Sequence, residues 1–218
     1  MAPEITSAIE NSLSSDGRQV IFVCGLSGAG KTEFCNDVQR ELSRESVIVR
    51  TDWYLTYGSL ERRRRIYKAF DDNNAEAIER EANPKNWYSW DRFKSDVKAL
   101  RSLGQLQLSA AWDQRTGEKH LSVELQVASD GVIICDGIYL LDPAICEYTD
   151  VTVLLDVSPD TTKERAGKRD QHRNPGSYLA LKESLKEKYD VPYFEQYRQL
   201  ADIIIDNNDF NNTMLIKP

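Results

Sequence analysis

The 218 residues hold no apolar run near the roughly 18 to 20 residues that a bilayer-spanning helix needs, which argues against a membrane role. The opening stretch "MAPEITSAIENSLSSDG" lacks the basic and apolar regions of a secretory signal. It reads as a mostly polar tail over residues 1–17, with at most one helical turn, and a cytoplasmic location is expected. Cysteine is sparse and scattered: Cys24, Cys35, Cys135 and Cys146 form no CxxC pair and have no neighbouring histidine, so a zinc pattern is missing and reduced packing thiols are expected. Only two histidines occur, His120 and His172, and neither stands in a catalytic pattern. There is no internal repeat or low-complexity tract. Positive charge is also short. With 28 basic residues against 35 acidic ones the formal net charge is −7, which repels polyanions and argues against a nucleic-acid partner.

What is present fits a soluble globular chain: 40% hydrophobic and 29% charged residues, in a length suited to one domain over residues 18–218. Five short β-branched runs alternate with helical patterns: "QVIFVC" (19–24), "VIVR" (47–50), "GVIICD" (131–136), "VTVLLD" (151–156) and "ADIIID" (201–206). Near-continuous apolarity suggests strands covered on both faces, as in the parallel sheet of an α/β fold. An insertion of about residues 53–130 separates the second run from the third. Within it "WYSWDRFKSDVKALRSL" has Trp90, Phe93, Val97, Leu100 and Leu103 at helical steps. "LQLSAAW" and "HLSVELQV" then alternate as paired strands of a β-hairpin.

The sharpest motif is "GLSGAGKT": Gly25, Leu26, Ser27, Gly28, Ala29, Gly30, Lys31 and Thr32 match GxxxxGK[ST] between an apolar strand and a helical pattern. Backbone N–H groups there converge on phosphate oxygens at a helix N-terminus. Lys31 would reach the β- and γ-phosphates, and the Thr32 hydroxyl would ligate Mg²⁺. The metal also needs a carboxylate at a strand end; Asp136 is favoured, and Asp156 is read as mainly structural, with Asp156 or Ser158 capping the next helix. No guanine-reading NKxD is present, which argues against a GTPase.

A small-molecule kinase also needs mobile cations and a base. "ERAGKRDQHRNPG" offers Arg165, Lys168, Arg169 and Arg173. Arg165 and Arg169 stand at i and i+4, so one helix face would aim both at the phosphates, in a lid of about residues 165–178. Asp52, just past the second run, is placed to take the acceptor proton, with helix capping as the bland alternative. "ERRRR" (61–65) is a solvated helix face or a local anion contact.

Five segments together, "GLSGAGKT", "DWY" after the second run, "ICDGIYLL", "LLDVSPDTTKERAGKRD" and "YDVPYFEQYRQLADIII", resemble the uridine kinase and phosphoribulokinase family of P-loop kinases over about residues 20–207. The resemblance implies a three-layer α/β/α P-loop NTPase fold with a five-stranded parallel sheet in order 2-3-1-4-5. It also implies ATP and Mg²⁺, Asp52 as base, and Arg165 and Arg169 as lid residues. Ala82 falls where the family's ribose-holding Asp is expected, and Trp112 and Gly117 where Tyr and His grip the pyrimidine; both departures weigh against uridine itself. All four tryptophans lie in the insertion. Trp90 is expected to be packing, while Trp53, Tyr54 and Trp112 are candidate acceptor walls, and Asp52 and Arg169 are further candidate acceptor contacts. The expected reaction is transfer from ATP to a hydroxyl of a small metabolite, nucleoside-like in the leading reading. Pantothenate, glycerate, a sugar phosphate and a vitamin riboside stay open as acceptors, as does a regulatory nucleotide-binding module. The oligomeric state is not set by the sequence, and a homo-oligomer stays open.

Overall fold

A computed structural model describes residues 2–113, 116–170 and 176–218, including the backbone but not the side chains of Asp170, Gly176 and Ser177. In chain order the elements are α1 (Pro3–Ser12), β1 (Gln19–Cys24), α2 (Lys31–Glu41), β2 (Ser46–Arg50), α3 (Ser59–Asp71), α4 (Ala75–Ala82) and α5 (Trp90–Leu103). Then follow β3 (Gln105–Asp113), β4 (Glu118–Gln126), β5 (Val132–Asp136), α6 (Pro143–Cys146), β6 (Val151–Asp156), α7 (Pro159–Asp170), α8 (Gly176–Leu185), α9 (Val191–Tyr197), β7 (Ile203–Asp206) and β8 (Met214–Lys217). Short 3-10 turns cover Thr51–Tyr54 and Pro84–Trp87, and a π-helical turn, Lys186–Asp190, joins α8 to α9.

The main sheet runs β2-β5-β1-β6-β7-β8. The pairs β2·β5, β5·β1, β1·β6 and β6·β7 are parallel, and β8 adds itself antiparallel to β7. The sheet therefore has six strands, where five were expected. "MLIK" is too short and too half-exposed to carry a buried-strand signature.

Side-chain alternation splits β1 between two cores. Val20, Phe22 and Cys24 face α5, the hairpin and α9, while Ile21 and Val23 face α1 and α2. Both faces of the sheet are covered, which is why the strands read as continuous apolar runs rather than alternating ones. The hairpin β3–β4 forms its own two-stranded sheet, with Leu106 and Leu108 turned into the core.

The N-terminal segment corrects the expectation of a polar tail. Residues 3–12 form three helical turns, and Ile5 and Ile9, one turn apart, are 0% exposed against the α2 side of the sheet. Only two apolar positions are needed to seat a short helix, too few to stand out among the polar residues around them.

Candidate functional site

The loop Gly25–Gly30 leaves β1 and enters α2, and two of its glycines are dictated by what lies against them. Gly28 has φ +94°, and a Cβ there would stand 2.6 Å from the carbonyl oxygen of Thr162 in α7. Gly30 has φ +90°, and its Cβ would strike the ring of Phe210 and the amide of Asn207. A side chain at either position would be strained and would push these neighbours off the loop. Lys31 folds back over the loop, donating to the carbonyls of Gly25 (2.9 Å) and Leu26 (3.1 Å). The remaining loop residues, Ser27 and Ala29, are tied to neighbouring elements: Ser27 Oγ lies 3.4 Å from Arg169, and the Ala29 carbonyl accepts from Asn207 at 2.7 Å.

Thr32 and Asp136, 104 residues apart, meet where β5 ends beside α2. The threonine hydroxyl donates to the Asp136 carboxylate at 2.9 Å, and Arg50 stands 3.5 Å from the same oxygen. A hydroxyl and a carboxylate are the hard oxygen donors that Mg²⁺ prefers. Among the described residues no cluster of three or more His, Cys, Asp or Glu side chains could hold a metal. The Thr32 hydroxyl and the Asp136 carboxylate, both hard oxygen donors beside the phosphate loop, are the residues that would hold Mg²⁺. Asp156 is held instead by Arg198 at 2.7 and 3.0 Å, and Ser158 caps α7, accepting from the Thr161 N–H at 3.2 Å.

Asp52 sits in the 3-10 turn that follows β2, half-buried. It lies inside the turn, whose N-cap position is Arg50, so it does not cap that turn. The Tyr88 hydroxyl stands 3.5 Å from its Oδ1. Burial, and then the like charge of Asp136, raise its pKa above the ordinary aspartate value, against the pull of Lys31, Arg62 and Arg169. Burial and the Asp52 charge hold the Tyr88 phenol well above its usual range. Tyr88 was not singled out from the aromatic cluster "NWYSW". Ala82, by contrast, is 1% exposed and packs with Ile66 and Leu185.

The two arginines expected in the lid diverge. Arg169 reaches the phosphate loop at Ser27. Arg165 does not point at the loop's centre as the helical spacing suggested. It donates to the carbonyls of Asn207 (2.9 Å) and Asn208 (2.7 Å), and its guanidinium lies 3.5 Å over the ring of Phe210. The segment after β7 captures Arg165, and the sequence signal for that was slight: one aromatic in the polar stretch "DNNDFNN". Lys168 pairs with Glu164 at the surface. His172 and Arg173 lie outside the described residues.

The aromatic walls also need correction. Tyr54 is 2% exposed and packs edge-on to Phe93 at 5.4 Å, so it belongs to the core. Trp53 is half-buried against the same cluster. Trp112 donates its indole N–H to the Leu55 carbonyl and lies under Gly58, which fixes it to the chain just past Asp52. Asp113 is buried, 3.7 Å from His120. Trp90 packs between Tyr88 and Phe93, as its place in the helical stripe predicts.

Beneath the site, the Tyr139 hydroxyl donates to the carboxylate of Asp190 in the π-helical turn. Asp190 is 5% exposed, and burial raises its pKa to about 6 although Tyr139, Lys31 and Lys186 favour its charged form.

A parallel sheet ending in a phosphate loop, a strand-end carboxylate beside the loop threonine, and a second acid facing an insertion define a P-loop phosphotransferase. The Phosphoribulokinase / Uridine kinase family model matches residues 20–214, and the chain belongs to that family. It is thus an ATP-dependent small-molecule kinase. A uridine kinase of Ureaplasma parvum serovar 3 is 20% identical over 204 residues, covering 90% of this chain and 91% of that protein. A putative fructose transport system kinase from Silicibacter sp. TM1040 superposes with TM-score 0.65 at 19% identity, covering 90% of this chain and 93% of its own. D-glycerate 3-kinase from Cryptococcus neoformans var. grubii gives TM-score 0.60 at 11% identity over 98% of both chains. No helix among the described residues is long and apolar enough to cross a membrane.

Proposed function

We propose that the chain transfers the γ-phosphoryl group of ATP to a hydroxyl of a small polyhydroxy metabolite, with Asp52 as the acceptor-side base. The observation that carries this reading is the setting of Asp52: half-buried in the turn after β2, beside the Tyr88 hydroxyl, and within the electrostatic reach of Asp136, Lys31 and Arg169. A carboxylate with a raised pKa accepts a proton more readily as the hydroxyl attacks. Tyr88 steadies the acid, and Arg169, reaching over Ser27, offsets negative charge that develops on the transferring group. Lys31 exchanges its loop carbonyls for phosphate oxygens when nucleotide binds. Thr32 and Asp136 would hold Mg²⁺, which would supply positive charge to offset that of the phosphates. Arg165 and Phe210, stacked beside Gly30, present a flat surface suited to the nucleotide base.

A nucleoside-like acceptor rested on aromatic walls. With Tyr54 in the core and Trp112 pinned to Leu55, the aromatic support for a nucleoside narrows to Trp53, and smaller polyols, sugars and hydroxy acids join the acceptors to be tested. The test is ADP release with ATP and Mg²⁺ across sugars, polyols, hydroxy acids and nucleosides. Acceptor-stimulated release by the wild type is expected, with loss of transfer but near-normal ATP binding in Asp52→Asn. Silence across the whole panel, or wild-type transfer by Asp52→Asn, would sink the reading.

A further inference from the structure

The α3 helix carries "ERRRR", and its four arginines do different things. Arg64 is exposed, 4.0 Å from Glu61. Arg63 stacks on Tyr178, its guanidinium 5.5 Å from the ring centroid. Arg65 makes a two-pronged ion pair with Glu81 at 2.8 and 3.0 Å, and Arg80 shares the same carboxylate at 3.0 Å. Among the described residues Arg62 pairs with no carboxylate. Its Nη1 donates to the Tyr57 carbonyl at 3.0 Å, and its face lies 4.8 Å from the ring centroid of Trp87. Its Nε is buried and has no hydrogen-bond partner. A buried N–H of a charged group without an acceptor is costly, and such groups are rare unless something else supplies the acceptor.

The surroundings suggest what that is. Arg62, Arg65 and Arg80 line a cleft of about 210 Å³ with Tyr57, Asn86 and Trp87, three guanidiniums against the single carboxylate of Glu81. The indole N–H of Trp87 is anchored on the Glu81 carbonyl at 2.8 Å, so the platform under Arg62 is fixed. The cleft belongs to the insertion, not to the phosphate loop, and it adjoins the acid's turn: Trp87 directly precedes Tyr88, its carbonyl accepts from the Thr56 N–H (2.8 Å) and hydroxyl (2.6 Å), and Leu55, three residues past Asp52, bridges to Tyr88. None of the residues lining the cleft comes from the phosphate loop.

We propose that Arg62 and the cleft beside it bind an anionic group of the acceptor, a phosphate or a carboxylate, while a hydroxyl of the same molecule reaches Asp52. This rests on the kinase reading above and narrows its substrate class to charged polyols. The planar guanidinium, backed by Trp87, has donors free to meet two oxygens of either group. A cleft this small suits one anionic group and a short carbon chain rather than a whole nucleoside.

The test is calorimetric binding of two matched pairs, glycerol with glycerate and ribose with ribose 5-phosphate. Saturating MgADP is kept present so that the phosphate loop is filled. The wild type is expected to bind at least one charged member about tenfold or more tightly than its neutral partner. If glycerate alone shows the preference the group is a carboxylate, and if ribose 5-phosphate alone does it is a phosphate. Arg62→Gln should erase the preference, and Arg62→Lys should keep part of it; thermal melts establish that both variants are folded. Equal binding of neutral and charged partners, a preference that survives in Arg62→Gln, or no binding by either charged probe overturns the proposal. ADP release with neutral acceptors alone would overturn it while leaving the kinase reading intact. Arg62-dependent anion binding with no ADP release from any acceptor would do the reverse.

Discussion

The Tyr88 hydroxyl stands 3.5 Å from Oδ1 of Asp52, across 36 residues of sequence. At that separation the phenol solvates the acid without fully claiming it, and the acid stays available to a substrate hydroxyl. Tyr88→Phe should lower kcat by roughly tenfold, the effect expected for loss of one positioning contact at a catalytic acid. ATP affinity should change little. Steady-state kinetics with the identified acceptor check this, and an unchanged kcat would remove Tyr88 from the site.

Arg169 and Arg165 should separate kinetically. Arg169→Ala removes charge from the loop and should cost kcat on the order of 100-fold or more. Arg165→Ala frees the Asn207–Phe210 segment instead, and should mainly raise KM for ATP. If both variants lost kcat equally, the divergence of the two side chains would have no functional meaning.

Asp190 gives a pH signature. Its folded pKa, about 6, lies above the ordinary 3.8, so between those values the unfolded chain ionises first. This group's contribution to stability is therefore most favourable below pH 4 and is lost as pH rises toward 6. Asp190→Asn keeps an acceptor for Tyr139 and cannot ionise, so the difference in stability between wild type and variant should change by on the order of 2 kcal/mol across that window. Denaturant melts at several pH values measure it, and a pH-independent difference would contradict it.

At the N-terminus, Ile9→Ala should destabilise the protein by about 2 to 4 kcal/mol, as expected for truncating a fully buried isoleucine. A urea melt with unchanged slope would show it. A cost near zero would mean that the helix does not hold to the sheet.

Much of this molecule is legible in its sequence because the strongest signals are local. The β-branched runs, the glycines of the phosphate loop and the alternation of the hairpin each sit within a dozen residues. Thr32 and Asp136 were also readable, since a strand-end acid follows from its run. What the sequence hid depends on contacts between distant segments. Nothing near Arg165 announces that Phe210 will stack on it, and helical spacing alone sends it toward the phosphates beside Arg169. Tyr54 and Tyr88 sit in similar aromatic stretches, yet one turns into the core against Phe93 and the other out toward Asp52. Ile5 and Ile9 lie in a polar segment, and only the sheet opposite gives them a reason to be there.

The added strand β8 has a consequence for nucleotide binding. Because the chain returns to pair with β7, and Lys217 donates to the Ala201 carbonyl, the segment from Asn207 to Asn212 is closed at both ends instead of trailing from the last parallel strand. Phe210, which we propose meets the nucleotide base, is thus preorganised. The entropy cost of ordering it is met once, when the protein folds, and not again at each turnover.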